Sequence, residues 1–228
     1  MNPPLSCTIV IPTRDEAETI AEMVQCCLKL TSNVMVADSL SKDGTPELAA
    51  KAGARVITIP QAGKGSAIRA IIPLLTTDLV VFIDADGSHE VADIPRLLKP
   101  LLEGRADHVQ ASRLLGGSSE LHGSFQEFFR LAGSAFITAC INWRFGVTIS
   151  DSQNGFRALR VAVLKELGLQ EKITTIEQEM VMKTLKKNYR LAEVASHEHA
   201  RIFGESKIRL SRVWIRYGYV LIRETCFP

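Results

Sequence analysis

Two carboxylates one residue apart, Asp84 and Asp86, follow directly on the apolar run 79–83. Carboxylates that alternate at the end of a buried strand can both reach one hard divalent cation. Such a cation bridges a diphosphate and stabilises the negative charge of a departing nucleoside diphosphate. An Asp-x-Asp pair alone is also the pattern of two solvated loop acids; its place behind a fully apolar strand favours the cation. Ser88 or His89 is the candidate to complete the shell.

Asp38 ends another apolar run, where a carboxylate can accept hydrogen bonds from a base N–H or a ribose hydroxyl. Asp43-Gly44-Thr45 reads as a tight turn into a capped helix, and as part of a site that this turn would position. Gly63-Lys64-Gly65-Ser66 resembles a phosphate loop at a helix N-terminus. It is not a Walker A sequence, since Thr58 stands where the earlier glycine belongs, and there is no G-x-G-x-x-G. A P-loop NTPase and a dinucleotide-dependent oxidoreductase are therefore disfavoured, while Lys64 favours an anionic ligand.

The elements that must position these residues alternate. Strands are expected at 7–11, 34–37, 55–59, 79–83 and 107–111, with helices between them. Thr13 and Glu16 read as a capping box ahead of a helix whose apolar face is Ile20, Met23, Val24, Cys27 and Leu28. Apolar strands alternating with helices predict an α/β fold with a parallel sheet covered on both faces. Ligands of such sheets bind beyond the carboxyl ends of the strands, where the polar clusters 13–16, 38–45 and 84–89 fall. The second half holds expected helices at 125–145 and 176–187 and a strand at 191–194. A basic amphipathic helix is expected at 208–223, with Arg209, Arg212, Arg216 and Arg223 in one stripe. Leu210, Val213, Trp214, Tyr217 and Leu221 form its adjoining apolar face.

A chain of 228 residues with 46% hydrophobic content fits one compact domain. A net charge of +2 implies no nucleic-acid partner. The five cysteines include no C-x-x-C pair and read as reduced thiols. No secretory signal pattern is visible, and no apolar run approaches the ~18 residues that cross a bilayer. The expectation is a cytoplasmic protein that meets a membrane, if at all, from its side.

Taken in order, VIPTRDEAETI (10–20), ADSLSKDGT (37–45), GKGSAIRAI (63–71), FIDADGSHE (82–90), ASR (111–113), ISDSQNGFRALR (149–160), EQEMVMKTLKKNYRLAEV (177–194) and RIFGESKI (201–208) resemble the family 2 glycosyltransferases. Within that family they are most similar to the polyprenyl-phosphate (dolichyl-phosphate) sugar synthases. The resemblance implies a GT-A fold: a Rossmann-like, mostly parallel central sheet with helices on both faces, acceptor-side helices and an amphipathic C-terminal helix. It implies a single domain over 1–228, with a nucleotide-sugar half at 1–113 and an acceptor half at 114–228.

Carried over by position, Pro12, Asp15 and Glu16 would border the nucleobase, with Asp38 on base or ribose and Lys64 on the donor side. Asp84 and Asp86 would bind Mg²⁺ or Mn²⁺ with the donor diphosphate, and Ser88 stands where relatives carry a metal-shell glutamine. Arg113, Arg130, Ser134 and Arg201, with Lys207 beside them, match the acceptor-phosphate side. Asp151, Asn154, Gly155, Phe156 and Arg157 match a sugar-side motif, and Glu179 an acid on the following helix. Arg14-Asp15 replaces the usual Tyr-Asn and Ser39 a second Asp, so the donor base stays open between GDP and UDP sugars. His197 and His199 lie where some relatives place a metal-binding histidine, and read equally as surface or packing residues.

The implied reaction is an inverting displacement at the anomeric carbon. A lipid-phosphate acceptor is already an anion at neutral pH and needs arginines rather than a base. A hydroxyl acceptor needs a base, for which Asp151 is the candidate. The helices 125–145 and 208–223 are the candidates to rest on a membrane surface. The alternatives are a soluble transferase with a saccharide or small hydroxyl acceptor, a non-catalytic nucleotide-sugar-binding protein, and a nucleotidyltransferase.

Overall fold

The computed structural model describes residues 6–119, 125–200 and 210–226, without the side chains of 125–130 and 210–213. Seven strands form one sheet in the order β3-β2-β1-β4-β6-β5-β7. They are β1 (Cys7–Thr13), β2 (Val34–Asp38), β3 (Arg55–Thr58), β4 (Leu79–Phe82), β5 (His108–Ser112), β6 (Arg157–Arg160) and β7 (Leu191–Ala195). All neighbours pair in parallel except β6, which runs antiparallel between β4 and β5. Sequence patterning missed β6, because its four residues carry arginine at both ends and show no apolar alternation. The reversal matters for the site. Phe82 at the exit of β4 pairs with Arg157 at the entry of β6, so the segment 151–156 arrives at the same edge as Asp84.

Helices α1 (Ile20–Leu28), α2 (Thr45–Lys51) and α4 (Ile94–Leu102) cover one face. On the other lie α3 (Lys64–Ile71), α7 (Val161–Glu166) and α8 (Ile176–Lys186). The alternation of each strand divides its side chains between two cores. In β2, Val34 and Val36 join the first cluster and Met35 joins the second. The short α5 (Arg113–Gly116) follows β5. A third cluster joins α8 to α6 (Phe125–Phe145) and α9 (Leu210–Cys226) through Ile137, Ile141, Val181, Met182, Tyr217 and Leu221.

The expected capping box is replaced. Helix α1 begins at Ile20, without a side-chain cap from Thr19. Thr13 instead ends β1 and gives its hydroxyl to Asp38. The wheel of the C-terminal helix also needs correction. Arg216 and Arg223 turn inward onto Glu171. Tyr217 and Leu221 pack on the core, while Ile215, Tyr219 and Ile222 are exposed. The side chains of Arg209, Leu210, Arg212 and Val213 lie outside the described residues.

Candidate active site

At the first two strand exits, loops hold one another. Pro12 pairs in register with Ala37. The Asp38 carboxylate accepts the Thr13 hydroxyl at 3.2 Å and the Ser41 N–H at 3.1 Å. A carboxylate has about four acceptor positions, so both oxygens keep capacity for a ligand. Asp15 adopts a left-handed backbone with φ of 55°. Its N–H donates to Ser41 Oγ at 2.8 Å, and its Oδ1 accepts the Lys42 N–H at 2.9 Å. Glu16 N–H donates to Thr45 Oγ1 and Ala17 N–H to Asp43 Oδ2. The Asp43-Gly44-Thr45 turn, which needs φ of +90° at Gly44, thus clasps residues 15–17. It is a helix entry that also holds the loop after β1 in place.

Past β4, the Asp86 carboxylate accepts the N–H and the hydroxyl of Ser88 at 3.1 and 2.7 Å. Ser88 therefore orients Asp86. Asp84 faces Lys64, whose Nζ is 2.5 Å from Asp84 Oδ1 and 2.5 Å from Glu177 Oε1. Burial alone would lower the lysine pKa, but the two carboxylates outweigh it and hold the ammonium charged. Burial raises the Glu177 pKa, with Lys64 opposing and Asp84 adding to the rise. Gly155 lies against this trio: a Cβ there would come within 2.4 Å of both Asp84 Oδ2 and Lys64 Nζ. Behind it, fully buried Arg157 donates to the carbonyls of Asn154 and Glu177.

The phosphate-loop reading of 63–66 needs correction. A Cβ on Gly63 or Gly65 would meet the backbone of Glu171 and Lys172 at 2.3–2.5 Å, and Ser66 N–H already donates to Lys172 O at 3.0 Å. These glycines admit a neighbouring segment, and Lys64 alone of the four points its charge into the site.

On the other side of β6, Arg113 forms a bidentate pair with buried Asp151, at 2.6 Å through Nε and 3.0 Å through Nη2. Its Nη1 lies 3.6 Å from Glu198. Burial would raise the Asp151 pKa, but the Arg113 charge and hydrogen bonds from Arg113 and Gln153 hold it below the usual range. The residue expected as a general base is thus engaged at both oxygens, and the arginine expected on acceptor phosphate is turned onto it. His197 approaches Ser119 Oγ and Gly116 O, and His199 lies 3.2 Å from Glu90. The His199 N–H donates to Ser88 O at 2.8 Å, which lays segment 197–199 beside the Asp86 loop. Ser134 sits on α6, one turn before Thr138, whose hydroxyl meets Ser152 at 2.8 Å. The side chain of Arg130, and all of Arg201 and Lys207, lie outside the described residues.

Sequence reasoning missed Glu177 and named Glu179 instead. Glu179 receives the N–H groups of Gln170 and Glu171 and the charge of Arg223, away from Lys64. The available signal was a buried acid in the first turn of α8, visible only once that turn is known to face β4. Asp84, Asp86 and Ser88 offer hard oxygen donors, the chemistry that Mg²⁺ or Mn²⁺ takes. Among the described residues no group of three or more His, Cys, Asp or Glu side chains is placed to hold a metal ion.

The family model of "Glycosyl transferase family 2" matches residues 8–168. Glycosyltransferase AglJ of Haloferax volcanii is 30% identical over 203 residues, covering 88% of this chain and 65% of AglJ, so the chain spans less than two thirds of that relative. The dolichyl-phosphate hexose transferase of the same organism is 27% identical, covering 88% and 85%. The crystal structure of glucosyl-3-phosphoglycerate synthase from Mycobacterium tuberculosis, in complex with Mn²⁺, UDP and phosphoglyceric acid, superposes with a TM-score of 0.79. It is 21% identical and covers 99% of this chain and 80% of that one, which shows the GT-A fold. With the family model spanning five of the seven strands in full, the chain is a glycosyltransferase of family 2.

Proposed function

We propose that this chain transfers a hexose, mannose or glucose, from a GDP or UDP sugar to a polyprenyl-type lipid phosphate at the cytoplasmic face of a membrane. The observation that carries the transfer reading is the pair Asp84 and Asp86 at the β4 exit, beside the Lys64 ammonium. Asp84 and Asp86 would hold Mg²⁺ or Mn²⁺, which supplies Lewis-acid stabilisation of the leaving diphosphate. Lys64 adds a positive charge on that side. Pro12, Asp15, Glu16 and Asp38 border the base and ribose.

The acceptor reading is supported by the Arg113–Asp151 pair. A hydroxyl acceptor needs a base, and the candidate base is committed to a buried arginine. A phosphate acceptor needs none, because it arrives ionised. The relationship to a dolichyl-phosphate hexose transferase points the same way. Arg130, Ser134, Arg201 and Lys207 are the residues proposed to hold that phosphate.

The decisive experiment has two stages. GDP-mannose or UDP-glucose with Mn²⁺ is expected to raise the melting temperature by about 5–10 °C at a hundredfold excess over Kd, from roughly 2.7 kcal/mol of binding linkage. The stabilising sugar is then expected to pass to a short polyprenyl phosphate and not to saccharides or glycerate. Transfer to a saccharide instead would overturn the acceptor; no shift with any donor would overturn the transferase.

Two adjoining helices support the membrane location. Phe136 and Trp143 on α6 are 66% and 85% exposed, and Ile215, Tyr219 and Ile222 on α9 are 80%, 50% and 60% exposed. Arg144, exposed on α6, is cationic, which suits anionic headgroups. No helix among the described residues is long and apolar enough to cross a membrane. Replacing Trp143 and Ile215 together with serine is expected to weaken sedimentation with anionic vesicles by about tenfold or more, given ~1.5–3 kcal/mol per buried side chain. Unchanged sedimentation would remove this surface from the membrane.

A further inference from the structure

Asp84 is one of the two carboxylates that a divalent cation at this edge would use, and it already faces a cation. Lys64 Nζ lies 2.5 Å from Asp84 Oδ1 and 2.5 Å from Glu177 Oε1. The backbone under Lys64 is fixed. Gly63 and Gly65 are in close contact with Glu171 and Lys172, and Ser66 N–H is held by Lys172 O. Gly155 lets the three charged side chains close over the loop that precedes β6. Any rearrangement of the pair therefore falls to the side chains.

We propose that Lys64 is the resident counter-cation of Asp84, that a divalent cation has to displace it, and that Glu177 keeps the displaced ammonium in the site. The inference rests on the transferase reading of the Asp84–Asp86 edge and adds an order of events to it. A dication on either oxygen of the Asp84 carboxylate would sit within a few ångströms of the ammonium on Oδ1, and the two like charges repel strongly at that range. Glu177, which holds the same ammonium from its other side, is where Lys64 goes. The free protein therefore holds a divalent cation weakly. A nucleoside diphosphate supplies negative charge for both the cation and the released ammonium, so nucleotide and cation tighten each other. That coupling is reciprocal by linkage.

The test measures Mn²⁺ binding directly, by electron paramagnetic resonance or calorimetry. The samples are the wild type, Lys64→Met, and the double variant Lys64→Met with Glu177→Gln, which removes one charge of each sign. Without nucleotide, both variants are expected to bind Mn²⁺ about tenfold or more tightly than the wild type, since an opposite charge at this range biases a carboxylate by about one to three powers of ten. UDP or GDP is expected to tighten Mn²⁺ in the wild type and to do so less in the variants. Circular dichroism checks the fold; should Lys64→Met alone fail to fold, the double variant carries the comparison.

Unchanged or weaker Mn²⁺ binding in the variants overturns the proposal. So does a gain in the single variant that vanishes in the double one, since Glu177 charge rather than release of Asp84 would then explain it. Mn²⁺ binding by the wild type with UDP or GDP, without any effect of Lys64, defeats this inference and leaves the transferase intact. No Mn²⁺ binding by any sample, with or without nucleotide, defeats both.

Discussion

Asp86→Ala is expected to slow sugar transfer by about three orders of magnitude while the protein stays folded. The size follows from what the residue is proposed to do. Removing one group aimed at developing transition-state charge costs about 10²–10³-fold in other enzymes. A carboxylate that helps hold the cation itself falls at the upper end. The stability cost is small by comparison. Asp86 accepts the N–H and the hydroxyl of Ser88, and the variant loses both. Roughly 2 kcal/mol of net hydrogen bonding is at stake, or about 4–8 °C in melting temperature for a chain of this size. Ser88→Ala gives the calibration. It leaves Asp86 in place and removes its hydroxyl partner, so activity is expected to fall about 10–100-fold, the range for residues that orient a metal-binding group. The measurements are initial transfer rates at saturating Mn²⁺ and melting curves for both variants. Full transfer by Asp86→Ala would move the chemistry away from the β4 exit altogether.

Much of this edge is legible in sequence because its residues stand at strand ends. Asp38 and the Asp84–Asp86 pair each follow an apolar run, and such runs leave little choice about where the next polar residue points. What sequence could not give depends on which surface a helix turns inward. The arginine stripe of α9 looks like a headgroup-binding face on a helical wheel. Arg216 and Arg223 instead meet Glu171, and Arg223 also meets Glu179 and Glu224. Nothing in the helix records Glu171 and Glu179, which come from the segment before α8 and from α8; Glu224 is the neighbouring residue on α9 itself. Glu177 was hidden for the same reason, and β6 because a four-residue antiparallel strand leaves no periodicity to read. The reversal at β6 then explains why 151–156, remote in sequence from Asp84, shares its edge.

The Asp151→Asn variant separates the two readings of that residue. A general base loses its function when amidated but leaves the fold intact. In the structure both carboxylate oxygens are taken by the Arg113 side chain, at 2.6 and 3.0 Å, and the N–H groups of Gln153 and Arg113 add contacts at 3.1 and 3.4 Å. Asp151 is 2% exposed. An amide of the same shape can accept from one guanidinium nitrogen, but its own NH₂ then faces the other donor. It also leaves a buried guanidinium without its closest counter-charge, since Glu198 is 3.6 Å away. Breaking a buried pair on one side costs about 3–5 kcal/mol. At about 2–4 °C per kcal/mol, the melting temperature of Asp151→Asn is expected to fall by roughly 10 °C.

The pH dependence carries the same signature. Asp151 has its pKa lowered in the folded state, so its contribution is fully present above the unfolded carboxylate pKa. It is lost as pH falls through the lower, folded value. The wild type should therefore shed this stability only in acid, and Asp151→Asn should lack that part of the acid limb. Residual transfer by the variant, measured well below its melting point, should keep the wild-type pH–rate profile, because an ionised phosphate acceptor needs no proton removed. A variant that melts with the wild type yet has lost the acidic limb of its rate profile would restore Asp151 as the base and return the acceptor to a hydroxyl.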